Sequence, residues 1–279
     1  VQSIAGGQPR TRQTLADTEE TLKILWYGEQ GTGKTLDMAT LARRGPVIFV
    51  NAEGGLKKRP LRVFEVPAEN IELRPATSYQ QLEALYWEVK RMIEGQDPFC
   101  PIGILFDSMS EITKVITTNQ VILRTHAARE KHDSMGTVPK ESEINPFRVQ
   151  LDDYGIMTEQ LRALTRKFRD LPIHVGFSAL SRREVDASGG EIGGDTVTYR
   201  PGLTPAFGND LRGFVDIVVA TKVATDGQWV GITKPRFGLM GKDRFGVLPV
   251  TMVDPTFDRI CAVVNDEMDP EEVKWVPQS

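Results

Sequence analysis

The 279-residue chain is poor in cysteine and histidine, with two of the first and three of the second. Cys100 and Cys261 make no disulfide framework, and so few sulfur and imidazole groups exclude a zinc site built on them. No apolar run approaches the length needed to cross a bilayer. Neither sign of charge dominates: 34 Lys and Arg face 38 Asp and Glu, for a net charge of −4. That balance excludes a broadly basic nucleic-acid coat but leaves room for a local basic groove. Residues 1–7 hold no basic segment followed by an apolar core, so no secretory signal, no membrane partner and a cytoplasmic location are expected.

What is present is the composition of a soluble α/β protein of one large domain. Strand-like runs at 22–27, 47–51, 102–107, 173–180, 215–221 and 229–233 alternate with helical runs at 35–44, 78–94, 108–125 and 152–170. The third to fifth strands are rich in Ile, Val, Leu and Phe with little alternation, which suits strands buried on both faces of a parallel sheet. From Val215 onward strands follow one another without helices, so the sheet is expected to end antiparallel. Residues 1–20 read as a flexible N-terminal arm, 21–260 as the core and 261–279 as a C-terminal tail. Two polar stretches, 127–147 and 181–206, read as long loops, the kind that often carry function.

Residues 28–35 read Gly-Glu-Gln-Gly-Thr-Gly-Lys-Thr, the phosphate-binding pattern G-x-x-x-x-G-K-[ST], between a strand and a helix. Gly28, Gly31 and Gly33 allow the tight turn that aims backbone N–H groups at phosphate oxygens. The helix N-terminus adds its dipole. Glu29, Gln30, Thr32 and Leu36 complete the cradle. Lys34 is expected to reach the β- and γ-phosphates, and the Thr35 hydroxyl to hold Mg²⁺. The motif expects a nucleoside triphosphate with Mg²⁺, taken as ATP, with the preference among nucleotides left open.

Such a loop needs a second carboxylate for the metal at the end of a hydrophobic strand, and Asp107 ends the run 102–107. The other role open to Asp107 is to cap the helix that follows. Glu53 lies at the tip of the strand 47–51, where it can orient an attacking water. Spacing alone leaves it equally open to being a surface carboxylate in a turn.

The order P-loop, strand-Asn-Ala-Glu, strand-Asp-Ser resembles the RecA/RadA class of ATPases. That resemblance implies a RecA-like P-loop core, with Glu53 as catalytic base and Asp107 as metal carboxylate. Thr233-Lys234-Pro235-Arg236-Phe237-Gly238 and Lys242-Asp243-Arg244-Phe245-Gly246 both resemble the Lys-x-Arg-Phe-Gly signature of RadA-type proteins. In that class such a pair reaches the neighbouring subunit's γ-phosphate, stabilising transition-state charge in trans. Lys234/Arg236 ranks first because it directly follows a strand, with Lys242/Arg244 close behind. Residues 51–56, 153–157, 169–175, 215–218 and 242–249 are similar to phage-encoded RecA-like ATPases of the single-strand-annealing recombinase type, a resemblance covering roughly residues 22–257. It implies self-association into a ring or filament in a bacterial host, single-stranded DNA as partner, and a single-strand-binding protein as a candidate further partner.

The class usually places Gln or Asn at the end of the strand before its second DNA-binding loop. Here that strand carries Ser178, whose reach is shorter. The stretches 127–147 (Arg129, Lys131, Lys140) and 181–206 (Arg182, Arg183, Arg200, with Tyr199 as a stacking ring) correspond in position to the DNA loops. Nearby acids bring their local charge close to balance, so plain surface loops remain an alternative. Three other functions stay open: a ring-forming DNA motor or helicase, a nucleotide-controlled interaction protein without DNA activity, and a small-molecule kinase.

Overall fold

A computed structural model describes residues 20–96, 99–186, 196–236 and 238–276. The strands are β1 (Lys23–Gly28), β2 (Val47–Asn51), β3 (Ile71–Arg74), β4 (Gly103–Asp107), β5 (His174–Asp186), β6 (Thr196–Pro201), β7 (Ile217–Val223), β8 (Trp229–Ile232), β9 (Lys242–Asp243) and β10 (Thr251–Val253). The helices are α1 (Lys34–Ala39), α2 (Lys58–Val63), α3 (Tyr79–Arg91), α4 (Met109–Met135), α5 (Glu141–Ile144), α6 (Leu151–Arg169), α7 (Pro205–Phe214) and α8 (Phe257–Val264).

The sheet runs β10-β8-β7-β1-β5-β4-β2-β3. From β7 to β3 every pairing is parallel, while β8, β9 and β10 add antiparallel pairs beside β7. This is the mixed α/β core expected, with the antiparallel end in the expected place. Successive residues of β1 serve opposite faces. Leu25 and Tyr27 join Phe106, Phe177 and the helices α3, α4, α6 and α7, whereas Ile24 and Trp26 join Phe49, Val219 and the helices α1 and α8. Covering both faces explains why β1, β2 and β4 are apolar along almost their whole length.

Four sequence readings are corrected. The helix expected to end at 125 continues to Met135, because no Gly or Pro interrupts it before Gly136, which caps it in the left-handed region at φ 61°. Most of the expected loop 127–147 is therefore helix, in α4 to Met135 and in α5. Arg124 organises the connection that follows: it grips both carboxylate oxygens of Asp153 at 3.1 Å and donates to the carbonyls of Glu143 and Arg148. The expected loop 181–206 begins as a continuation of β5 to Asp186, paired antiparallel with β6, and ends in α7; residues 187–195 lie outside the described residues. The expected tail is not separate. Ile260, Cys261 and Val263 of α8 are buried, Val273 joins the same core, and Trp275 N–H bonds to the Thr251 carbonyl at 3.0 Å. Finally, β3 and α2 were not expected at all. Residues 1–19 of the expected arm lie outside the described residues.

Candidate nucleotide-binding site

The P-loop leaves β1 at Gly28 and enters α1 at Lys34. Gly31 and Gly33 adopt φ 78° and 87°, a conformation that L side chains rarely adopt and that turns consecutive N–H groups inward. Gly28 has a second constraint: a Cβ there would collide with the Thr221 side chain and carbonyl on β7. Lys34 lies inside the loop, with Nζ donating to the carbonyls of Gly28 at 3.0 Å and Glu29 at 2.6 Å. Burial pushes its pKa down, and the charges of Asp107, Glu53, Asp37 and Glu29 oppose that shift.

Asp107 ends β4 and is 2 % exposed. Its Oδ2 accepts from Thr35 Oγ1 at 2.7 Å, and its Oδ1 accepts from Ser178 Oγ. Burial raises its pKa, while the two hydroxyls pull it back. Ser178 lies on β5, the strand between β1 and β4, and is fully buried. Its hydroxyl faces the Asp107 carboxylate, a contact the spacing did not disclose. Asp107 does not cap α4; Ser108 does, accepting from Glu111 N–H at 3.3 Å.

Glu53 is brought to the same place. β2 and β4 are neighbours, and the N–H groups of Ala52 and Glu53 both bond to the Asp107 carbonyl, at 2.7 and 3.3 Å. The Glu53 carboxylate accepts from Ser108 Oγ. Gly55 sits over the pair. A Cβ on it would lie 3.6 Å from Asp107 Oδ2 and 3.7 Å from Thr35 Oγ1. The result is a cleft of about 400 Å³ lined by Gln30 to Leu36 on one side and Glu53, Asp107 and Ser108 on the other. Leu56, Lys57, Pro60 and Trp229 extend its wall. Trp229 stacks on Phe64 at 5.5 Å, and its ring packs against Gly33. None of these four was anticipated.

The donor set fits a nucleotide with Mg²⁺. A hydroxyl and a carboxylate converge within hydrogen-bond distance, a buried ammonium stands beside them, and two left-handed glycines shape the anion nest. Lys234 and Arg236 follow β8 outside the cleft. Lys242 and Arg244 are engaged within their own chain. Lys242 Nζ donates to the carbonyls of Arg212 and Val215 at 2.9 and 2.5 Å, closing the end of α7, and Arg244 pairs with Asp216 at 2.6 Å. Burial lowers the Lys242 pKa.

Residues 20–245 match the AAA domain family. The chain belongs to that family. An AAA domain is a P-loop nucleotide-hydrolase domain. The AAA domain is also similar to the signal recognition particle 54 kDa protein of Methanococcus maripaludis. With strain C5 it is 26% identical over 184 residues, covering 64% of this chain and 37% of that protein. With strain C6 it is 27% identical over 180 residues, 62% of this chain and 36% of that protein. The chain thus spans little more than a third of the length of these relatives. Among the described residues no helix is long and apolar enough to cross a membrane.

Proposed function

We propose that the protein is an ATP-dependent DNA recombination ATPase, resembling the phage-encoded RecA/RadA-like proteins of single-strand-annealing type. It binds ATP with Mg²⁺, self-associates on single-stranded DNA, and promotes annealing or strand exchange. Lys34, Thr35 and the P-loop amides hold the phosphates. Thr35 and Asp107 hold Mg²⁺, which neutralises charge on the phosphate oxygens when bound. Glu53, oriented by Ser108, accepts the proton of the attacking water.

The observation that carries this reading is the convergence of Glu53, Asp107 and Thr35 in one cleft while Lys234 and Arg236 stand outside it. A cleft complete in metal and base groups, with its candidate basic pair elsewhere, suits hydrolysis at a subunit interface, the neighbour supplying Lys234 and Arg236. Of the two pairs, Lys234 and Arg236 come first because they directly follow β8. Arg182, Arg183, Arg200 and Tyr199 of the β5–β6 hairpin form the candidate DNA surface, although Glu184 pairs with both Arg182 and Arg200.

The test is annealing of complementary oligonucleotides by the purified protein with ATP and Mg²⁺. Accelerated annealing, lost in Lys34→Ala, supports the reading. A second reading, a nucleotide-switched interaction protein, draws on the similarity to a signal recognition particle component. It expects tight nucleotide binding with no response to DNA at any salt concentration.

A further inference from the structure

Tyr27 is the last residue of β1 before the P-loop, and its ring is fully buried. Its hydroxyl meets two different elements. It accepts from the Met240 N–H at 2.6 Å and lies 3.2 Å from the Tyr199 carbonyl oxygen of β6. An amide can only donate and a carbonyl can only accept, so the phenol proton points to Tyr199. Burial pushes the ionisation of this phenol up to about 12, so the donor persists at neutral pH.

The two elements that meet at Tyr27 are themselves stitched together. Arg236 and Leu239 exchange backbone hydrogen bonds of 3.1 and 2.9 Å, closing a tight turn directly after Lys234. Tyr199 N–H donates to the Gly238 carbonyl at 2.8 Å. Gly238 has φ 71°, and a Cβ on it would collide with the Val197 carbonyl. The hairpin strand β6 and the turn bearing Lys234 and Arg236 therefore form one body. At its base the hairpin is also tied to α4, through Ser110, which accepts from Leu180 N–H at 3.0 Å. Tyr27 is the side chain that joins hairpin and turn alike to the strand feeding the P-loop. The Ser178 hydroxyl donates to Asp107.

We propose that Tyr27 is a positioning residue that transmits the state of the P-loop to the β5–β6 hairpin and the Lys234–Arg236 turn as a unit. The inference rests on the proposed reading in one respect: it takes the hairpin to be the DNA surface and the turn to act on nucleotide. Its physical core is a coupling between nucleotide and two segments, and that can be measured without DNA.

The experiment is amide hydrogen exchange of wild type and Tyr27→Phe, each with and without a non-hydrolysable ATP analogue and Mg²⁺. The wild type is expected to change protection in 196–201 and 238–241 together on binding the analogue. In Tyr27→Phe the Met240 amide exchanges about tenfold faster, as for a lost hydrogen bond to a buried acceptor. The analogue still binds the variant, but the joint change in the two segments disappears. Gly238→Ala, which separates the turn from β6 without touching β1, is expected to uncouple the segments in the same way, and it decides the matter if Tyr27→Phe folds poorly. A joint change that survives Tyr27→Phe overturns the inference, or, where that variant folds poorly, one that survives Gly238→Ala, as does a wild type in which the analogue moves neither segment. If the coupling is present and hydrolysis ignores single-stranded DNA, the functional reading fails and the inference stands.

Discussion

Thr35 Oγ1 donates to Asp107 Oδ2 across 2.7 Å, joining the first turn of α1 to the tip of β4, although β5 separates β4 from β1 in the sheet. The bond occupies the position where a hydroxyl and a carboxylate would share Mg²⁺. Asp107→Asn keeps the size of the side chain and removes its charge. Hydrolysis is expected to fall by about a hundredfold or more, and the dependence of nucleotide affinity on Mg²⁺ to flatten. Titrating a fluorescent nucleotide with and without Mg²⁺ checks this; an unchanged Mg²⁺ dependence would remove Asp107 from the metal site.

Ser108 touches Glu53 on one side and caps α4 on the other. Glu53→Gln is expected to cut turnover by about 10²–10⁴-fold while nucleotide still binds. Ser108→Ala is expected to cost about fivefold in kcat, the worth of one hydrogen bond. Because Ser108 acts through Glu53, the double variant should be no slower than Glu53→Gln alone. Additive losses in single-turnover kinetics would show that Ser108 works by another route.

His174 opens β5, and its Nδ1 accepts the Leu22 N–H at 3.0 Å, an interaction open only to the neutral ring. Burial, helped by Lys23 and Arg44, lowers its pKa from 6.5 to about 4. The unfolded chain therefore takes up a proton near pH 6.5 that the folded protein refuses until about pH 4. Stability from this group is complete above pH 6.5 and drains away as pH falls to 4, by about 2 kcal/mol for a partly solvated ring. His174→Asn, which retains an acceptor near Nδ1 without titrating, should flatten that part of the curve. Urea denaturation at pH 7 and pH 5 is the comparison, and equal slopes in both proteins would refute it.

Two glycines, one opening the P-loop and one lining the cleft, should respond oppositely. Gly28→Ala forces a methyl into Thr221 side chain and backbone, and is expected to destabilise the fold by about 3 kcal/mol. Gly55→Ala meets only ordinary contacts at 3.6 and 3.7 Å, so the fold should survive while nucleotide affinity with Mg²⁺ weakens. Thermal melts together with binding titrations separate the two. A stable Gly28→Ala would mean that β7 gives way beside the P-loop.

The parts legible in the sequence were those with local signals. The P-loop, the buried strands and the terminal positions of Asp107 and Glu53 all follow from short runs of residues. Contacts between distant segments were not legible. Ser178, 71 residues from Asp107 in the chain, gives no hint of facing it. Trp229 reads as a strand residue, and only the fold brings it to Gly33. The hairpin and the last turns of α4 were mistaken for loops because their polar composition masked a strand pairing and the continuation of a helical run. Arg124, which pins the connection after α4, reads as one more surface charge until its contacts with Asp153, Glu143 and Arg148 are seen.

The most direct test of the account is the rate of ATP hydrolysis with and without single-stranded DNA, for wild type, Glu53→Gln and Arg236→Ala. Turnover stimulated by DNA and abolished by both substitutions is the predicted result. Turnover indifferent to DNA, or unaffected by Arg236→Ala, would contradict hydrolysis at a DNA-responsive subunit interface.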